Sequence, residues 1–460
     1  MFPLENKEVL VIGLGSRGRA ACELLLRHGA KVVGVDAGDN AELREGAQKL
    51  RPLGVSVALG ASSVPRGNFS LAVVSPTVPM TTPLVEAAMK SQLPLISELE
   101  LGYLQARCLA IAIAGTNGKS TTAELIERVL LNNYRKAIVS GDCARPVCSI
   151  ADQTKDLDFL ILQANSFQLE RTEFFRPAVS VLLNLAPDHL DRYATADDYA
   201  RANARLFRNQ QIFDWAIIQS AALERLLKLE VPLPSKIITF SAKDPAADLY
   251  LDRGLLLGRL PNWAGPLLDM DHCKIRGPQN AENVMAALAV GHVLRLPLET
   301  MLEPLKTYAG GPHRCELVAE INGVQFINDS KATNVDALRN ALLAARPGPG
   351  APPNLWVIAG GRDKGLDFHE IGPLLSQRVK GAFLIGECRE KIRAAWSLFT
   401  PCKLSDSLLE AVTEAASSAT SGDVVLLSPA CSSFDLFRNY QHRGEAFCEA
   451  VKSIGRGLRA

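Results

Sequence analysis

The segment Gly115-Thr116-Asn117-Gly118-Lys119-Ser120, continued by Thr121, carries residue types suited to holding phosphate. Glycines let successive backbone N–H groups curl round an anion, and a helix starting at the lysine adds the positive end of its dipole. In such a loop Lys119 serves the β- and γ-phosphates and Ser120 serves Mg²⁺. The usual loop has its first glycine five residues before the second. Here that position is Ile113, so the loop is a shortened variant. The alternative is a tight strand-to-helix turn with no ligand. A second glycine turn, Gly13-Leu14-Gly15-Ser16-Arg17-Gly18, has Asp36 at the end of the next apolar run. That fingerprint suits a diphosphate joined to a ribose, whether in a nicotinamide dinucleotide or in a UDP-sugar. A purely structural turn is its bland reading. Further polar groups follow other apolar runs: Gln163 to Glu170, Asp188-His189-Leu190-Asp191, Asn328 to Asn334, Gly361 to Gly365 and Pro429 to Asp435. Any one of these could be a solvated loop; their recurrence favours a site.

Elements must place these groups. EVLVIG (8–13), KVVGVD (31–36), LAVVS (71–75), LAIAIAG (109–115), DFLILQ (158–163), VSVLLN (179–184), VQFIN (324–328), LWVIAG (355–360) and DVVLLS (423–428) read as buried strands. AACELLLRHG, TAELIERVLL and VDALRNALLAA read as helices between them. Alternating strands and helices predict an α/β chain with mostly parallel sheets, and ligands then gather at the carboxyl ends of strands. Punctuation near 104–108 and at AGGPHR (309–314) predicts domains of 1–107, 108–309 and 310–460. Segment 230–275 mixes strand and loop character, and RPGPGAPPN (346–354) reads as a surface loop.

Composition narrows the class. The chain has 460 residues, 47% hydrophobic and 22% charged, with a net charge of +1. That suits a globular protein and gives no basic field for nucleic acid. The ten cysteines form no CxxC pair, which argues against zinc and for reduced thiols in a cytoplasm. Neither a signal peptide nor a run long enough for membrane insertion is visible.

Together, GTNGKST (115–121), SFQLE (166–170), DHLDRY (188–193), GPHR (311–314), NDSKATN (328–334), GG-x-D-K-G (360–365) and SPACSSFD (428–435) resemble the Mur ligase family, and within it the D-glutamate-adding branch. The resemblance implies three domains: a Rossmann-like N-terminal domain, a central P-loop ATPase-type domain, and a C-terminal Rossmann-like domain similar to dihydrofolate reductase. It implies ATP and Mg²⁺, the substrates UDP-N-acetylmuramoyl-L-alanine and D-glutamate, a cytoplasmic place in peptidoglycan synthesis, and a monomer. By position, Ser16, Arg17, Asp36, Ser75, Asp142 and His189 fall on UDP-substrate contacts. Gly115 to Thr121, Asn283, Arg314 and Asp329 fall on ATP contacts. Thr333, Lys364, Ser433, Phe434 and Tyr440 fall on D-glutamate contacts, and Ser120 and His189 on metal positions. Lys119 and His189 are the catalytic candidates, His189 only by its proximity to the motif.

The chain also departs from the family pattern. Gln163 stands where the family has a metal-binding glutamate, and Asn203 where it has a carbamylated lysine. Asn203 shares a predicted helical face with Tyr199 and Leu206 and is expected to point inward. Thr77 replaces a glycine after Ser75-Pro76, and Asp142 replaces an asparagine. Four readings stay open: the D-glutamate ligase, a related amino-acid or folylpolyglutamate-type ligase, a catalytically weakened homologue, and a nicotinamide-dependent oxidoreductase.

Overall fold

The computed structural model describes residues 4–345 and 352–457. Most of the RPGPGAPPN segment, residues 346–351, therefore lies outside the described residues. Contacts divide the chain into two compact units. The first runs to Leu185 and includes Asp197–Asp269 and Glu282–Lys306; the second holds Ala186–Ala196, Met270–Ala281 and the chain from Thr307.

The first unit contains two sheets. One is built from β1 (Glu8–Ile12), β2 (Lys31–Val35), β3 (Ser56–Ala58), β4 (Leu71–Val74) and β5 (Leu95–Ser97), all parallel, in the order β3-β2-β1-β4-β5. Alternate side chains of β1 enter different cores, Val9 and Val11 on one face and Leu10 and Ile12 on the other. A sheet covered on both faces explains why the strand reads as one apolar run. The strand order reverses at β1, so the Gly13 loop opens at a topological switch point.

The other sheet uses β6 (Leu109–Ala114), β7 (Ala137–Ser140), β8 (Phe159–Gln163), β9 (Val179–Leu182), β10 (Trp215–Gln219), β11 (Lys236–Ser241), β12 (Leu249–Asp252), β13 (Leu255–Leu260) and β14 (Trp263–Asp269). Its order is β14-β13-β12-β11-β10-β9-β6-β8-β7. Strands β6 to β12 pair in parallel, and the ambiguous 230–275 segment becomes β11 followed by an antiparallel β12-β13-β14 meander. Here the order turns at β6, which places the phosphate-loop candidate at the second switch point. Helix Lys119–Asn132 follows it directly.

The second unit carries β15 (Glu316–Ile321), β16 (Val324–Asn328), β17 (Leu355–Gly360), β18 (Val379–Ile385), β19 (Cys402–Leu404) and β20 (Val424–Leu427), in the order β15-β16-β20-β17-β18-β19. Only β15 pairs antiparallel. Strands β16, β17 and β20 are neighbours, so the three polar loops that follow them emerge at one edge. Among the described residues, no helix is long and apolar enough to cross a membrane.

Gly18 illustrates how tightly the first turn closes. A Cβ at this position would lie 1.8 Å from Gly13 O, so helix Ser16–Arg27 sits directly on the loop backbone. Gly18→Ala is expected to destabilise the first unit by about 1–3 kcal/mol or more, because the clash is with main chain that cannot rotate away. Thermal melting checks this: a lower first transition is expected, and an unchanged one would contradict the packing.

Candidate functional site

The first turn is organised by Asp36. Its carboxylate accepts from Leu14 N at 2.7 Å and from Gly38 N at 2.8 Å. The sequence pattern reads Asp36 as a ribose ligand; in the structure it also fixes the backbone of the glycine loop. Ser75, at the end of β4, faces the same loop: a Cβ on Gly13 would lie 2.8 Å from Ser75 Cβ, and Ser75 Oγ shares a hydrogen bond with Thr77 Oγ1 at 3.2 Å. Ser16 opens helix Ser16–Arg27. Arg17 is buried and donates from Nη2 to Gly141 O at 2.9 Å, while its buried Nε has no partner among the described residues. Gln168 Nε2 donates to the same carbonyl at 3.0 Å. Gly141 itself adopts φ +103°, and a side chain there would strike Gln163 O. The fold thus brings Arg17, Gln168 and the loop bearing Asp142 to one carbonyl, with Asp142 Oδ1 accepting from Arg145 N at 2.8 Å.

The second loop is held open by side chains rather than by glycine alone. Gly115 and Gly118 have φ of +125° and +92°. Asn184, just beyond β9, accepts from Asn117 N at 2.8 Å and donates to Asn117 O at 3.0 Å, while its own carbonyl accepts from Thr116 N at 2.9 Å. Thr116 Oγ1 is 3.1 Å from Tyr199 OH. Asn283 is buried, accepts from Thr122 Oγ1 at 3.2 Å, and fills the space a Gly118 side chain would need. Lys119 Nζ donates to Gly115 O at 2.6 Å and Thr116 O at 2.9 Å, which curls it over the loop. Ser120 Oγ donates to Gln163 Oε1 at 2.6 Å. Thr121 is partly exposed at the start of the helix. A glycine loop, a helix N-terminus and a lysine together form an arrangement that can bind a polyphosphate.

In the second unit, Lys364 and Asp188 form a buried pair at 3.1 Å. Asn334 Nδ2 donates to the other oxygen of Asp188 at 3.0 Å, and Asn334 Oδ1 caps helix Val335–Ala344 through Ala337 N. Burial pushes the Asp188 carboxyl upward, but Lys364, His189 and Asn334 outweigh it and hold it below the ordinary range. His189 has φ +54°, with Nε2 3.8 Å from Asp188 Oδ2. Asp329 accepts from Ser428 Oγ at 3.0 Å and Cys315 N at 3.2 Å. Arg314 Nη1 donates to Tyr308 OH at 3.4 Å. Thr333 is partly exposed, Ser433 is buried, and Phe434 is 67% exposed. Tyr440 starts the last helix, and its carbonyl accepts from Ser330 Oγ at 2.8 Å.

Comparison with known proteins decides the family. Residues 113–291 match the Mur ligase middle domain, and residues 313–431 match the Mur ligase glutamate ligase domain. A protein of Acidobacterium capsulatum named UDP-N-acetylmuramoylalanine--D-glutamate ligase is 37% identical over 97% of this chain and 96% of its own length. A protein of the same name from Pelotomaculum thermopropionicum is 36% identical over 98% and 99%.

The chain belongs to the Mur ligase family.

Solved Mur ligases have the same fold at much lower identity. UDP-N-acetylmuramate-alanine ligase from Thermotoga maritima aligns with a TM-score of 0.61 at 18% identity, covering 97% of this chain and 99% of that one. The MurF ligase of the same organism, solved in complex with ADP, gives 0.60 at 16%, covering 98% of both.

The Mur ligase pattern singles out two positions for a metal, and the structure treats them differently. Gln163 meets Ser120, so two neutral oxygens stand together beside the phosphate loop. Asn203 is buried on helix Ala196–Ala204, as are Tyr199 on the same helix and Leu206 in the 3₁₀ turn that follows. The Asn203 Nδ2 donates to Tyr199 O at 2.9 Å and its Oδ1 has no partner among the described residues. Among the described residues no group of three His, Cys, Asp or Glu could hold a metal ion. Magnesium retains waters and accepts substrate phosphates as ligands, so Ser120 and Gln163 fit an ion carried mainly by a nucleotide; Asn203 does not complete a carboxylate shell. Sequence reasoning missed Asn184 and Tyr199 as supports of the loop, although Asn184 ends a quoted strand. It also missed Arg443, a buried cation inside an otherwise ordinary amphipathic helix.

Asp329 provides a pH test. Burial lifts its pKa to about 7, with Ser428 and Cys315 opposing the shift. A folded value above the unfolded one means that the associated stability is complete below about pH 4 and is lost as pH rises through 7. Asp329→Asn should flatten this slope, with a difference of at most about 4 kcal/mol between the two ends. Denaturant unfolding from pH 4 to pH 8 measures it, and parallel profiles for the two proteins would refute the assignment.

Proposed function

We propose that this chain is an ATP-dependent ligase that joins D-glutamate to UDP-N-acetylmuramoyl-L-alanine in the cytoplasm. Two features support this reading: near-full-length similarity to proteins of that name, and a glycine loop at a helix N-terminus that Asn184 braces. The proposed division of labour follows the predicted domains. Residues 1–107 bind the uridine nucleotide through Ser16, Arg17, Asp36 and Ser75, with Asp142 contributed by the next domain. Residues 108–309 bind ATP, and residues 310–460 bind D-glutamate through Thr333, Lys364, Ser433, Phe434 and Tyr440.

The reaction proceeds in two balanced steps. The alanine carboxylate oxygen attacks the γ-phosphorus and ADP leaves, which gives an acyl phosphate. The D-glutamate amine then attacks the acyl carbon, a proton leaves the nitrogen, and inorganic phosphate departs with the C–O electron pair. Phosphoryl transfer depends chiefly on positioning and charge neutralisation. Lys119 and the N-terminus of the helix it opens perform that role on the nucleotide. Magnesium, held by Ser120 Oγ and Gln163 Oε1, would supply further neutralisation of phosphate charge. Lys364 suits a substrate carboxylate as a compact cation, and Asp188 orients it at 3.1 Å. His189 lies beside this pair and is the candidate proton acceptor.

The neutral Gln163 and Asn203 favour a second reading, a homologue that binds nucleotide but turns over slowly. Phosphate release with UDP-N-acetylmuramoyl-L-alanine, ATP and magnesium, with and without D-glutamate, separates the two. D-glutamate-dependent release is expected, falling roughly 10²-fold or more in Lys119→Ala. Nucleotide binding without release supports the second reading, and near-normal turnover in Lys119→Ala rejects the loop assignment.

A further inference from the structure

Arg443 lies within helix Tyr440–Gly457 and is only 1% exposed. Its guanidinium reaches two loops. Nε donates to Ser330 Oγ at 3.1 Å, Nη2 to Ser330 O at 2.8 Å, and Nη1 to Cys431 O at 3.1 Å. The loop after β17 also closes on it, since a Cβ on Gly361 would lie 3.3 Å from Arg443 Nη1. The loops after β16, β17 and β20 therefore converge on one side chain. Ser330 belongs to the segment that carries Thr333, and Cys431 stands two residues before Ser433.

The charge is as informative as the shape. All three acceptors are neutral, and among the described residues no carboxylate forms an ion pair with Arg443. Asp435 and Asp329 favour its charge from nearby without bonding to it: Asp329 accepts from Ser428 and Cys315, and Asp435 Oδ2 accepts from Glu387 N at 2.9 Å. Burial lowers the Arg443 pKa to about 10, so it remains a cation at neutral pH. Lys364, by contrast, already has Asp188 as its counter-ion. Removing an unpaired cation from water is costly, and a neutral side chain of similar volume would avoid that cost. The three hydrogen bonds account for the fork, but they leave the charge without a directly bonded counter-ion.

We infer that Arg443 is a positioning residue for the acidic amino acid: it ties the Ser330 and Cys431 loops in register and leaves a positive charge beneath them that favours a carboxylate ligand. This rests on the D-glutamate reading of those loops. Arg443 does not touch the substrate; it acts through the loops it holds and through its field, which a low-dielectric interior screens weakly.

Steady-state kinetics on the full chain, with D-glutamate, ATP and the UDP-substrate varied in turn, test this in Arg443→Met and Arg443→Lys. Methionine removes both charge and fork; lysine restores the charge alone. Arg443→Met should raise the KM for D-glutamate about tenfold or more while the KM for ATP stays within about twofold, and Arg443→Lys should recover a substantial part of the loss. Thermal melting and ATP binding report folding independently. A folded Arg443→Met protein with an unchanged KM for D-glutamate overturns the inference. So do equal rises for D-glutamate and ATP with lysine no better than methionine, the signature of a structural role. Should Arg443→Met not fold, Arg443→Lys carries the test: a rise confined to D-glutamate supports the inference, and an unchanged or uniform response overturns it. If the unsubstituted protein releases no phosphate in response to D-glutamate, the ligase reading itself has failed and the inference falls with it.

Discussion

Asn184 grips both main-chain polar groups of Asn117 in the glycine loop, donating to its carbonyl and accepting from its N–H. A loop that must present backbone amides to an anion cannot satisfy its remaining polar groups by regular secondary structure, so neighbouring strands must do so. That constraint explains much of the first unit. β9 must lie beside β6 to deliver Asn184, and a glycine must stand at 115 because any side chain would strike Asn184's own backbone. Asn283 must be buried under Gly118. The switch-point topology is the arrangement that leaves the loop accessible while its base is braced.

The second unit manages charge rather than backbone. Lys364 is compensated by Asp188, which is in turn anchored by Asn334 at the head of a helix. Asp329 is shielded by a serine and a backbone amide. Arg443 alone of these three has only neutral acceptors. A cation bonded only to neutral acceptors at one edge of the sheet attracts an anion more than a directly ion-paired one would.

The quoted strands were legible because doubly buried parallel strands are continuous apolar runs, as with LAIAIAG and LWVIAG. The glycine loops were legible because their spacing has a mechanism. The 230–275 segment was not, since the β12-β13-β14 meander has one exposed face and alternates Leu with Arg, Gly and Asp. The inward-facing Asn203 followed from helical periodicity, but its unpartnered Oδ1 did not, because hydrogen-bond satisfaction depends on tertiary neighbours. Asp36 shows the limit of motif reading: the spacing marks a ribose ligand, while the fold also gives its carboxylate two backbone donors. Asn184 and Arg443 were hidden for a related reason. An asparagine after a strand and an arginine in a helix are ordinary until the partners they reach across the fold are known.

If Asn184 holds the loop at Gly115 to Ser120 in shape for a triphosphate, its removal must weaken ATP binding. Isothermal titration of ATP into Asn184→Ala, against the unsubstituted protein, measures it most directly. Loss of both hydrogen bonds should cost about 1–3 kcal/mol of binding, roughly 5- to 150-fold in affinity, with thermal melting little changed. Equal ATP affinity in the two proteins would contradict the claim and assign the loop's shape to its glycines alone.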